Sequence, residues 1–99
     1  MPIQNIIVKK GVVYMEIGTI ISLLNEINAD RTVPKNIRNS VEEVKNDLNN
    51  ENMDIAVRIN SAISILDEVS NDPNIPIYTR TQIWNIVSML EAMNQANSQ

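Results

Sequence analysis

Ile21-Ser22-Leu23-Leu24-Asn25-Glu26-Ile27-Asn28-Ala29-Asp30 returns 42 residues later as Ile63-Ser64-Ile65-Leu66-Asp67-Glu68-Val69-Ser70-Asn71-Asp72. At the same offset Val33-Pro34 falls on Ile75-Pro76, and Arg38 falls on Arg80. Each copy reads as an apolar helix, an Asp-containing turn, a β-branched residue before proline, and a second helix with Arg four residues past that proline. Proline suits the first helical position, where its missing N–H is no loss, and it pushes the residue before it into extended geometry. A period of about 40 residues with two helices per unit marks helical repeat architecture. Two such units on short connections predict an all-α, antiparallel four-helix bundle built from two helical hairpins.

Working outward, apolar spacing predicts the helices. The first spans about Met15 to Asn28, with Ile17, Ile20, Ile21, Leu24 and Ile27 inward, Leu23 widening the face, and Gly18 weakening its early turns. The second, Pro34 to Asn49, carries only a narrow seam of Ile37, Val41, Val44 and Leu48. Asn52 or Asp54 caps the third, Asp54 to Asn71, expected to be the most buried: Ile55, Ile59, Ala62, Ile63, Leu66 and Val69, flanked by Val57 and Ile65. The fourth continues to about Asn94 with Ile83, Ile86, Val87, Leu90 and Met93 inward, and Asn94 to Gln99 frays. Thr79-Arg80-Thr81-Gln82 has capping-box spacing, although Pro76 permits an earlier start. The wide-faced helices 1 and 3 are expected to pack together at the centre, flanked by 2 and 4. Two repeats are fewer than a solenoid normally needs. Either the bundle closes on itself or its open ends pair with a second copy, giving a homodimer.

Residues 15–99 thus form the bundle domain, and residues 1–14 a short N-terminal arm. In the arm, Ile6-Ile7-Val8 and Val12-Val13-Tyr14 read as two β-prone runs around Lys9-Lys10-Gly11. It is either an extension ahead of a start at Met15 or an arm that covers a partner subunit.

Composition narrows function. With no Cys and no His, disulfides, thiolate metal sites and imidazole catalysis are closed to the chain. A net charge of −4 disfavours broad nucleic-acid binding, which needs many phosphates neutralised. Lys9-Lys10 follow the first apolar residues, the reverse of a signal peptide, and no apolar run approaches a membrane span. A cytoplasmic protein is expected, with no cofactor and no membrane partner.

Asp30-Arg31-Thr32-Val33-Pro34-Lys35-Asn36-Ile37-Arg38, together with Leu66-Asp67-Glu68, Asn71-Asp72-Pro73-Asn74-Ile75-Pro76 and Thr79-Arg80-Thr81-Gln82-Ile83-Trp84, resembles Uncharacterised Protein Family 0147. The resemblance spans about Ile17 to Glu91. It implies a short helical bundle and an archaeal source, and it brings no catalytic residues. The arm departs from that core. The helix-turn-helix unit is also distantly similar to HEAT-type repeats, an analogy of fold alone.

Arg38 and Arg80 are the sharpest candidate site residues, because a helix N-terminus disfavours a cation. Their partners are either internal carboxylates (Asp30 and Glu26 for Arg38, Asp72 and Glu68 for Arg80) or an anion held by Arg31, Lys35 and Arg38 where free N–H groups also point outward. Trp84 sits either at the core margin or in a contact patch with Tyr78 and Met89. Glu26, Glu42, Glu43, Asp67 and Glu68 read as a solvated face; without His there is no Glu-x-x-His metal motif. A non-enzymatic protein-interaction module follows as the leading expectation. An accessory of an RNA or ribosomal complex comes second, and an enzyme holding a metal through carboxylates third.

Overall fold

In the computed structural model, which describes residues 2–97 and the side chains of residues 16–96, four helices follow one another. They are α1 (Pro2–Ala29), α2 (Lys35–Leu48), α3 (Ile55–Ser70) and α4 (Ile77–Asn97), with no strand among the described residues. The all-α four-helix reading therefore holds, and α2 and α3 match their expected bounds to within a residue. The capping box is not used: α4 starts directly after Pro76, so Thr79 lies inside the helix. At its other end α4 stays helical through Asn97, past the expected fraying point. Ser98, Gln99 and Met1 lie outside the described residues.

Residues 2–14 do not form the pair of β-prone runs. They are helical and continuous with α1. Two short strands alone have no sheet to join. A helix instead satisfies its backbone groups within the segment and grows from turns already formed by α1.

Helices adjacent in sequence pack side by side, and α4 closes the ring against α1. α1 and α3 lie diagonally opposite and do not adjoin, which corrects the expected central pair. Short connections force each helix antiparallel to the next. Four helices in a ring then give every one of them two neighbours, so no helix is central. Of the residues expected to face inward from α3, Ile59, Ala62, Leu66 and Val69 are buried, while Ile55, Ile63 and Ile65 are half-buried and Val57 is exposed.

The core runs through all four helices: Ile20, Leu24 and Ile27 meet Ile37, Val41 and Val44, then Ile59, Ala62 and Leu66, then Ile83, Ile86 and Leu90, all essentially sealed from solvent. Each of these Val, Leu and Ile side chains contributes about 1.5–3 kcal/mol by leaving water. Polar ties cross the helix seams: Asn28 Nδ2 donates to Glu42, Ser61 Oγ to Asp47, and Asn94 Nδ2 to Asn60.

All three corners share one plan, spaced 20 and then 22 residues apart at Asp30, Asn50 and Asp72. In each, the side chain of that residue accepts the N–H two positions on: Thr32 (2.9 Å), Asn52 (3.0 Å) and Asn74 (2.8 Å). Its carbonyl accepts the N–H three positions on: Val33 (3.2 Å), Met53 (3.1 Å) and Ile75 (3.3 Å). The residue that opens the next helix is extended, Pro34 at φ −57°, ψ 151° and Asp54 at φ −59°, ψ 148°. Asp54 thus reproduces without a ring the geometry that proline fixes elsewhere. Val33 and Ile75 turn inward and are buried, adding corner residues to the core.

Candidate functional site

Eight residues past each corner's Asx lies an arginine: Arg38, Arg58 and Arg80. The 42-residue offset exposes the first and third and hides Arg58, because that corner is spaced differently and carries Asp54 where the other two have proline. Its signal was the corner pattern itself, Asn50-Glu51-Asn52-Met53-Asp54 followed by Arg58.

None of the three arginines forms an ion pair. Among the described residues the salt bridge is Lys45 with Glu42, at 3.1 Å. Arg80 donates from Nε to the carbonyl of Ser70 (3.0 Å) and from Nη2 to that of Asp72 (3.4 Å). Arg58 donates from Nε to the carbonyl of Met53 (2.8 Å). For Arg80 the expected carboxylate partners are therefore replaced by main-chain oxygens. For Ser70, the last residue of α3, the reason is electrostatic: a helix leaves its last carbonyls unpaired and partly negative, and the antiparallel hairpin sets the first turn of α4 beside them, whereas the Met53 and Asp72 carbonyls belong to the corners. Asp30 and Asp72 are occupied with corner N–H groups. The Thr32 hydroxyl (2.6 Å) and then the Thr32 N–H hold the Asp30 carboxyl below its ordinary pKa. Asp72 also accepts from Asn36 Nδ2, at 3.1 Å.

Arg38 differs from its two counterparts. Its Nε is buried with no partner. Arg31 and Lys35 are exposed on the same corner and first turn, so the three candidate anion-binding residues share one end of the bundle.

Trp84 is not at the core margin. It is 58% exposed, on the outward side of α4, with Ile77 at 81% and Tyr78 at 70%. At about 100° per residue, Ile77 and Trp84 lie one above the other, while Tyr78 and Met89 run along a flank about 120° from Trp84. The candidate contact residues Trp84, Tyr78 and Met89 therefore do not make a single cluster. Ile77 and Trp84 share one exposed stripe, Tyr78 is exposed on the neighbouring flank, and Met89 on that flank is half-buried against the core. Ile77 was missed because it follows Pro76, where the capping box suggested loop.

The remaining carboxylates are dispersed. Glu42 is engaged by Lys45 and Asn28, and no group of three metal-ligating side chains occurs among the described residues. An open cleft of about 340 Å³ lies where the α2–α3 corner meets α1. Ile17, Ile21 and Leu48 form its apolar wall, Gly18 its floor, and Glu51 and Arg58 its charged margin. Leu48 is the last residue of α2, so α1 continues beyond the end of α2 on the far side of Ile17.

The chain is similar to known proteins over most of its length. The pattern of the uncharacterised protein family UPF0147 matches residues 8–93, reaching further toward the N-terminus than the motifs alone. A UPF0147 protein of Methanosarcina acetivorans is 49% identical over 73 residues, covering 74% of this chain and 75% of its own. One from Methanocaldococcus jannaschii is 55% identical over 69 residues, covering 70% and 74%. Among solved structures, a UPF0147 protein from Thermoplasma acidophilum superposes with a TM-score of 0.78 at 39% identity, covering 83% of this chain and 96% of that one.

Proposed function

The chain belongs to the uncharacterised protein family UPF0147, and from that premise we propose that it is a non-enzymatic protein-protein interaction module whose contact surface is the outer face of α4. One observation carries this reading: Ile77, Tyr78 and Trp84 stand out from the first two turns of a helix whose inner face is already fully packed. Large apolar groups left in water gain free energy when a partner covers them, and Trp and Tyr are enriched among residues that dominate such contacts. Scattered carboxylates and the lack of His and Cys supply no nucleophile with its base. The same reading assigns the protein to the cytoplasm. Affinity capture of the tagged protein from its own organism, beside an Ile77→Ser/Trp84→Ser variant, tests it. A stoichiometric partner held by wild type and lost from the variant is expected; equal retention overturns the assignment. A second copy of the chain is one candidate occupant, detected as a concentration-dependent mass that the same variant abolishes.

A second reading, an accessory of an RNA or ribosomal complex, draws support from the unpartnered Arg38 Nε beside exposed Arg31 and Lys35. It requires RNA affinity that falls steeply with salt and is lost in Lys35→Glu. Binding indifferent to salt removes it.

A further inference from the structure

A charged side chain is rarely buried without a counter-charge, because leaving water costs more than one hydrogen bond returns. Arg58 is only 8% exposed, yet it is tied by Nε alone to the Met53 carbonyl and has no carboxylate partner. Its two Nη groups make no hydrogen bond within the chain and, unlike Arg38 Nε, are not sealed from solvent, and Arg58 lines the cleft between α1 and the α2–α3 corner. Arg80, by contrast, engages two carbonyls. Glu51 lines the same cleft and is not ion-paired with Arg58.

A second observation comes from α1. Gly18 lies within a continuous helix, where glycine costs about 1 kcal/mol against alanine. A Cβ built there meets no atom within 4 Å, so nothing inside the chain demands glycine. The space it leaves is part of the cleft.

We propose that this cleft binds a free aliphatic α-amino acid. The carboxylate answers the unspent donors of Arg58, the ammonium answers Glu51, and the branched side chain lies over Gly18 against Ile17, Ile21 and Leu48. A zwitterion fits better than a simple anion, since Glu51 repels an unaccompanied carboxylate. The cleft volume of about 340 Å³ is at the small end of ligand sites, which suits a ligand of this size. This site lies at the opposite end of the bundle from Ile77, Tyr78 and Trp84 and is independent of the partner surface proposed there.

The test titrates L-leucine into the methyl-labelled full chain and follows the Ile17, Ile21 and Leu48 methyl signals by NMR. Saturable shifts at those three positions, with a dissociation constant on the order of millimolar and Ile75 unmoved, are expected. L-leucinamide, lacking the carboxylate, and 4-methylpentanoate, lacking the ammonium, are each expected to bind about tenfold more weakly or worse. Gly18→Leu fills the cleft from α1 while leaving every corner residue in place, and is expected to abolish the shifts while the protein melts normally. Arg58→Gln removes the carboxylate partner directly, but the corner depends on Arg58, so Gly18→Leu is the primary variant. The proposal is overturned by any of three results: no saturable shift, equal binding of either analogue, or undiminished binding in Gly18→Leu.

Discussion

Replacing Gly18 with alanine is expected to stabilise the protein by about 1 kcal/mol. The position lies eleven residues before the end of α1 and is exposed. Part of the gain comes from the unfolded chain, since alanine has fewer conformations to lose on folding, and part from better shielding of the helix backbone. An opposing term would come from a clash, but the new methyl meets nothing within 4 Å. No native contact is lost, because glycine has no side chain to make one. The full propensity difference should therefore appear. For a domain of this size it corresponds to a rise of about 4–8 °C in Tm, and to about 0.5–1 M in the urea midpoint. Far-UV circular dichroism during urea unfolding measures it, with the denaturant slope unchanged because the same surface is exposed on unfolding. An unchanged or lowered midpoint would mean that α1 is not a formed helix at Gly18, and the reasoning would fail.

Three further outcomes follow from the corners and the outer face of α4. Arg80→Met removes two charged donors from carbonyls at the end of α3 and should cost about 1–2 kcal/mol, whereas Arg38→Met, whose Nε has no partner, should cost less; the reverse order in urea unfolding contradicts the assigned roles. Thr32→Val removes the hydroxyl that does most to hold the Asp30 carboxyl low, so an NMR titration should find Asp30 titrating at higher pH in the variant. Because the folded pKa is depressed, the stability contributed by Asp30 is fully present above the unfolded value and is lost as pH falls through the folded one; Thr32→Val should therefore be less destabilised by acid below about pH 4. Trp84→Ser should change stability by no more than about 0.5 kcal/mol, since the residue faces outward, and a larger loss would mean that Trp84 packs against the fold.

The bundle was legible because its corners are written twice in nearly the same residues, and because aliphatic spacing in α2 and α4 leaves little ambiguity. What escaped the sequence has physical causes. A chain-internal offset of 42 hides the corner at Asn50, where Asp54 adopts the proline geometry by φ and ψ alone, and Arg58 went unseen with it. Helix pairing is a property of the ring of connections, so the width of an apolar face did not reveal that α1 and α3 are diagonal. Residues 2–14 are β-branched enough to suggest strands, yet a segment contiguous with a formed helix extends it at little cost. Charges of opposite sign near each other suggested ion pairs for Arg38 and Arg80. Those expectations overlooked main-chain carbonyls, which for Arg80 are the partners: that of Ser70 at the end of α3 and that of Asp72 in the corner. Of the contact residues, Tyr78 and Trp84 were legible as candidates, but their exposure, and the addition of Ile77, depend on where α4 begins.

The central claim is that the outer face of α4 is the working surface, and photo-crosslinking inside the cell tests it most directly. A photoreactive amino acid at position 84 should join the protein to one defined macromolecule, while the same group at exposed position 46 on α2 should not. Equal products from both positions, or products from position 46 alone, would contradict it.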